Sequence, residues 1–157
     1  GFSGINVDAD GGTRIEGGYM FKIDSSTTDT SSNKVKTFSY KLSASDSSTA
    51  QYAYLFNLYL TGTNITDDAF FSYIIKGLAK NTGNNASIVG TNSTETRGTL
   101  PGENSSAAVT VTSSGTAGAE TLNVVLTGPD TSTETINWTG VFCVYTDDTN
   151  FAVSSVP

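Results

Sequence analysis

The apolar residues of this chain come in short runs rich in Val, Ile, Phe and Tyr, with Ser, Thr, Gly and Asn filling the spaces between them. No other feature constrains the fold as much. An amphipathic helix needs apolar side chains at every third or fourth position over several turns, whereas a half-buried strand needs simple alternation over a few residues. β-branched and aromatic side chains suit a pleated surface. Ser, Thr, Asn and Gly divert the backbone into turns, by hydrogen bonding to it or by tolerating positive φ. The sequence therefore predicts an all-β protein with no substantial helix.

Residues 1–18 hold repeated Gly and isolated Phe2, Ile5, Val7 and Ile15, which predicts an irregular N-terminal arm with at most a short strand. A strand is expected at Tyr19–Ile23, followed by a polar loop over Asp24–Asn33. In 34–42, Val35, Thr37, Ser39 and Lys41 alternate with Lys36, Phe38, Tyr40 and Leu42, the pattern of a strand with one buried face. Gln51–Leu60 has aromatic and aliphatic residues on both faces, as expected of a strand covered on two sides. In Ala69–Lys80 a helix competes with a strand, and the β-branched and aromatic bias together with Gly77 favours the strand. A short strand at Ser87–Val89 leads into a long polar loop, Gly90–Asn104. Ala107–Thr112, Glu120–Thr127 and Thr135–Thr146 are expected to form a meander, because only turn-rich segments separate them. Phe151–Val156 is expected to add an edge strand or dock on a partner.

At 157 residues the chain fits one domain over 19–157 behind the arm. About eight to ten strands in that length point to an antiparallel β-sandwich of jelly-roll-like order.

Charge narrows the partners. Eight Lys and Arg against fifteen Asp and Glu give a net charge of −7, so the basic stripe that nucleic-acid binding needs is missing. No apolar stretch approaches the roughly 18 to 20 residues of a bilayer span, so no membrane insertion is expected. A single Cys143 excludes an intramolecular disulfide. Lying in an apolar run, it reads as a small buried hydrophobe, and a free thiol suits a protein assembled in a reducing cytoplasm.

Candidate chemistry is sparse. With no His, the usual triads and His-ligated zinc are excluded by composition. Cys143 has no partner base. The acidic pairs Asp67-Asp68 and Asp147-Asp148 could in principle serve glycoside hydrolysis, but they fall at predicted turns, where Asp is expected for backbone reasons alone. Asp8 and Asp10 alternate as in a calcium loop, yet Gly12 replaces the third oxygen ligand and Tyr19 stands where the bidentate Glu belongs. No catalytic, cofactor or metal residue is therefore assigned. Sequons begin at Asn64, Asn85, Asn92, Asn104 and Asn137, a number that abundant Ser and Thr readily produce, and none is taken as glycosylated. Tyr52, Tyr54, Tyr59 and Tyr73 could stack on a sugar if their rings are exposed.

The succession VKTFSYKL, YLFNLYLTG, DAFFSYIIKGLAKNTGNNASIVG, AAVTV, LNVVLTG and ETINWTGVFCVYT spans 34–146. In this order it resembles a β domain of bacteriophage tail-fibre and other virion-surface proteins. The closest likeness is LNVVLTG followed by INWTGVFCV, where a strand ending in Thr-Gly leads to one opening with Ile-x-Trp. The resemblance implies a non-enzymatic particle component, such as a fibre or capsid-decoration protein. It also implies a homo-oligomer, often a trimer, that contacts other virion proteins such as capsid or tail and reaches cell-surface glycan through polar loops. The expected location is the virion surface. A secreted carbohydrate-binding or adhesin module, or a pilin-like filament subunit whose arm joins the next subunit's sheet, is the alternative.

Overall fold

The computed structural model describes residues 6–7, 13–15, 18–30, 32–42, 51–65, 68–82, 85–98, 107–115, 119–129 and 134–151. These residues contain no helix. Their strands are β1 (Asn6–Val7), β2 (Thr13–Ile15), β3 (Gly18–Thr27), β4 (Val35–Lys41), β5 (Gln51–Asn64), β6 (Ala69–Thr82), β7 (Ala86–Gly98), β8 (Ala108–Ser114), β9 (Thr121–Thr127) and β10 (Ile136–Thr146). A seven-stranded sheet has the order β1-β2-β3-β10-β5-β6-β7 and packs on a three-stranded sheet β4-β9-β8. All pairings are antiparallel. The fold is a β-sandwich.

The pairings β3–β10 and β4–β9, in opposite sheets, are those a jelly roll also makes. Inside them the chain folds as hairpins within one sheet, β5–β6–β7 and β8–β9. The expected meander is corrected here: β8 pairs with β9, but β10 crosses to the larger sheet and lies between β3 and β5. Its Ile136, Trp138, Phe142 and Val144 thereby reach the centre of the core, at 1% exposure or less.

The core forms where alternation turns side chains inward. On β9, Leu122, Val124 and Leu126 are fully buried, as their spacing predicts. Tyr40 of β4 lies between the sheets, 4.4 Å from the Phe21 ring and 5.3 Å from that of Phe142. Farther along, Phe71 meets Trp138 edge-on at 5.5 Å. Each such aromatic pair adds about 0.5–1.5 kcal/mol beyond area burial. Glycine is required at position 62, because a Cβ there would run into the Phe71 ring.

Several boundaries differ from expectation. The arm carries two short strands, β1 and β2, which extend the large sheet beyond β3. β3 continues to Thr27, shortening the loop expected from Asp24, because its residues pair with β10 as far as Ile136. β5 is central in its sheet but covered on one face only, with Leu55 and Tyr59 open to solvent. The Gly90–Asn104 loop is strand as far as Gly98. β7 is a long edge strand on β6, broken by a register shift between Lys76 and Leu78, where Gly90 takes φ +70°. Residues 152–157 lie outside the described set, while Phe151 is buried in a turn against Tyr19, Phe21, Tyr40 and Tyr54.

Candidate functional site

The residues singled out for chemistry are dispersed. Asp148 is buried at the end of β10, where Oδ2 accepts a 2.6 Å hydrogen bond from the Tyr54 hydroxyl and Oδ1 accepts one from the Asn150 N–H. Asp147 beside it is exposed. Asp68 is also exposed, in the β5–β6 turn at φ 49°. The Asp148 carboxylate is thus a structural acceptor, in keeping with the turn reading of these pairs. Asp67, Asp8 and Asp10 lie outside the described residues. Among the described residues no group of three or more His, Cys, Asp or Glu gathers as a metal would require.

Cys143 is buried, but on the outer face of the large sheet rather than between the sheets, since its neighbours Phe142 and Val144 take the core positions. Burial pushes its thiol above the usual range, which lowers the thiolate fraction and its nucleophilicity.

The sugar-stacking set is mostly withdrawn. Tyr54 and Tyr73 are buried core residues, and the Tyr73 hydroxyl donates to the Ala107 carbonyl. Tyr52 packs half-buried against the core. Only Tyr59 is exposed. Of the sequons, Asn64 is buried with its Nδ2 donating to Glu134 Oε2 at 2.8 Å, and Asn92 Nδ2 donates to the Val111 carbonyl, tying β7 to β8. Asn85 and Asn137 are exposed, and Asn104 lies outside the described residues.

What the structure does gather is a surface. In the large sheet, Phe142 and Val144 face the core, so Val141, Cys143 and Tyr145 face outward. Register then places Tyr145, Leu55, Leu78 and Val89 in one row across β10, β5, β6 and β7. The next row is Met20, Cys143, Asn57, Lys76 and Ser93, two residues along β10, β5 and β6 and four along β7 across its register shift, followed by Lys22, Val141, Tyr59, Ile74 and Glu95. Leu55 at 51%, Val89 at 42%, Tyr59 at 40% and Tyr145 at 38% exposure leave large apolar side chains of this face open to solvent, with Asn57, Lys76 and Ser93 in the row between them. Sequence reasoning missed it because Leu55, Tyr59, Ile74, Leu78, Val141 and Tyr145 alternate with inward residues that are also apolar, so the two faces do not separate by polarity where these residues stand.

No family model matches the chain, and no curated protein matches it in sequence. Function therefore rests on the geometry.

Two recesses open on the described residues. One of about 410 Å³ is lined by Thr61, Thr63, Phe70, Ser72 and Arg97 at one end of the same face. Phe70 is 65% exposed, and Arg97 is held 2.7 Å from Glu95. The other, about 390 Å³, opens between β7 and β8 over Ile75, Ile88, Val109 and Val111.

Proposed function

We propose that this chain is a non-enzymatic structural subunit of a phage particle, of fibre or capsid-decoration type, that assembles with copies of itself through the outer face of the large sheet. The observation that carries this reading is the row Tyr145–Leu55–Leu78–Val89, open to solvent at Tyr145, Leu55 and Val89, with Tyr59 exposed two rows farther along the same face. Large apolar side chains standing alone on a surface need no explanation, but a contiguous set of them rimmed by polar residues marks an interaction site. Size supports the same reading. Five strands about 4.8 Å apart and about ten residues long give a face of about 800 Å², one partner's share of a standard protein–protein contact. The placement in a phage particle rests on the order of elements described above.

Size-exclusion chromatography with light scattering tests assembly. The wild-type chain should elute as a defined oligomer and Leu55→Glu as a monomer of unchanged circular dichroism. A wild-type monomer at high concentration overturns the proposal.

A second reading, a module that attaches to cell-surface glycan, is favoured by the Phe70–Arg97 recess, where an exposed ring, a guanidinium and three hydroxyl residues converge. Glycan binding abolished by Phe70→Ala would support it.

A further inference from the structure

We infer that the contact is a two-fold, isologous dimer whose axis runs along β5, so that the β3 edge of one copy lies against the β7 edge of the other. This deepens the self-assembly reading and rests on it. The observation is the placement of charge on the outer face. In the four rows that cross β5 at Leu55, Asn57, Tyr59 and Thr61, four of the charged residues stand on the two outermost of the five strands, β3 and β7. The Tyr59 row begins with Lys22 on β3 and ends with Glu95 on β7. In the Thr61 row the signs are exchanged, with Asp24 on β3 and Arg97 on β7. All four side chains are exposed.

Among β3, β10, β5, β6 and β7, the middle strand is β5. A two-fold axis along it, in the plane of the contact, sets each residue of β3 against its row-mate on β7 of the other copy, and each residue of β10 against its row-mate on β6. Lys22 then meets Glu95 and Asp24 meets Arg97, once on each flank of the dimer. Glu95 and Arg97 already pair at 2.7 Å within one copy, so each flank becomes a set of four charges in which every neighbour has the opposite sign. A face that complements itself in this way needs no second surface.

The apolar rows match under the same operation. Leu55 falls on Leu55 and Tyr59 on Tyr59, while Tyr145 falls on Leu78 and Val141 on Ile74. Lys76 is the remaining charge in these rows; it falls on Cys143, one strand in from the rim, which its four-carbon stem can reach. A second two-fold would also match the edge charges, running across the strands between the Tyr59 and Thr61 rows. It carries the Leu55 row of one copy past Asn64 of the other, where β5 ends, and so takes Leu55, Leu78 and Val89 off the opposing strands. Only the axis along β5 pairs the charges and buries the apolar rows together. With about 800 Å² from each copy, the contact reaches about 1,600 Å², the usual size for a stable dimer.

Light scattering on the full chain at low salt tests the axis, with circular dichroism checking the fold of each variant. The wild type should be a dimer. Lys22→Glu and Glu95→Lys should each raise the dissociation constant roughly tenfold, because either change sets like charges together on both flanks. An equimolar mixture of the two variants should associate about as tightly as the wild type, since a copy with one change and a copy with the other meet with opposite charges on both flanks. Under the two-fold across the strands, Lys22 would face Asp24 instead and the mixture would stay weak. If the wild type is a trimer, if the single variants associate as tightly as the wild type, or if the mixture stays as weak as its components, the inferred axis falls; loss of association in Leu55→Glu then still upholds the assembly reading. If the wild type is monomeric, both fall.

Discussion

The phenol of Tyr54 donates a 2.6 Å hydrogen bond to Oδ2 of Asp148, and both residues are shut away from solvent. Around it the chain makes a compact turn: the Asp148 N–H donates to Thr146 Oγ1, the Asn150 N–H donates to Asp148 Oδ1, and the Tyr19 hydroxyl donates to the Asp148 carbonyl. Phe151, which this turn delivers, closes one end of the aromatic core. Asp148→Ala should therefore lower the unfolding free energy by about 2–4 kcal/mol, since it strips a charge-assisted acceptor from a buried phenol and unsettles the turn. Tyr54→Phe should cost less, about 1–2 kcal/mol. Equilibrium urea unfolding of both variants measures this. Equal midpoints for Asp148→Ala and wild type would refute the clamp.

How much of this was legible in the sequence depends on what each residue faces. β4 and β9 could be read directly, because Tyr40 and Leu42, and Leu122, Val124 and Leu126, recur at every second position and all point into the core. β7 could not. Its residues are polar and mostly exposed, and its place in the sheet comes from pairing with β6, which periodicity does not register. The crossing of β10 to the other sheet was hidden for a different reason: a short connection suggests a neighbouring strand, and sequential strands are neighbours only about two-thirds of the time. The candidate face was missed because apolar residues on both sides of β5 look alike in sequence whether one side or two is covered.

Burial also sets the behaviour of Tyr73 at high pH. It holds the phenol above its ordinary value near 10, because the charged form would lose hydration in the core. In the unfolded chain the group ionises near that ordinary value, so between the two the native state binds more protons than the unfolded state. Stability is then complete below about pH 10 and declines as pH rises through the folded-state value. Tyr73→Phe should remove part of that alkaline decline, at the cost of the hydrogen bond to Ala107. Denaturant midpoints recorded from pH 8 to 11 test it. An unchanged slope in the variant would count against the assignment.

Cys143 should label slowly in the native protein. Its thiol is raised by burial and has little surface, so at pH 8 both the thiolate fraction and access are reduced. Reaction with a chromogenic disulfide should run roughly a hundredfold slower than in denaturant. Comparable rates in the two conditions would mean that the outer face opens freely around β10.

Trp138 offers the most direct probe of how the sheets are joined to their edge. It is the only Trp, is 1% exposed, and its Nε1–H donates to Thr27 Oγ1 at 2.7 Å, linking the start of β10 to the end of β3. Thr27→Val keeps the shape of the side chain but removes the acceptor, leaving a buried indole N–H without it. The expected cost is about 1–3 kcal/mol. Thr27→Ser retains an oxygen and should cost less. Because packing against Phe71 and Tyr73 is untouched by either change, the native emission maximum should stay blue-shifted in both variants while the unfolding midpoint drops mainly in Thr27→Val. A red-shifted native spectrum in Thr27→Val would show that the hydrogen bond positions the indole rather than merely satisfying it. An unshifted midpoint would show that the bond adds nothing to stability, leaving aromatic packing alone to hold Trp138 in the core.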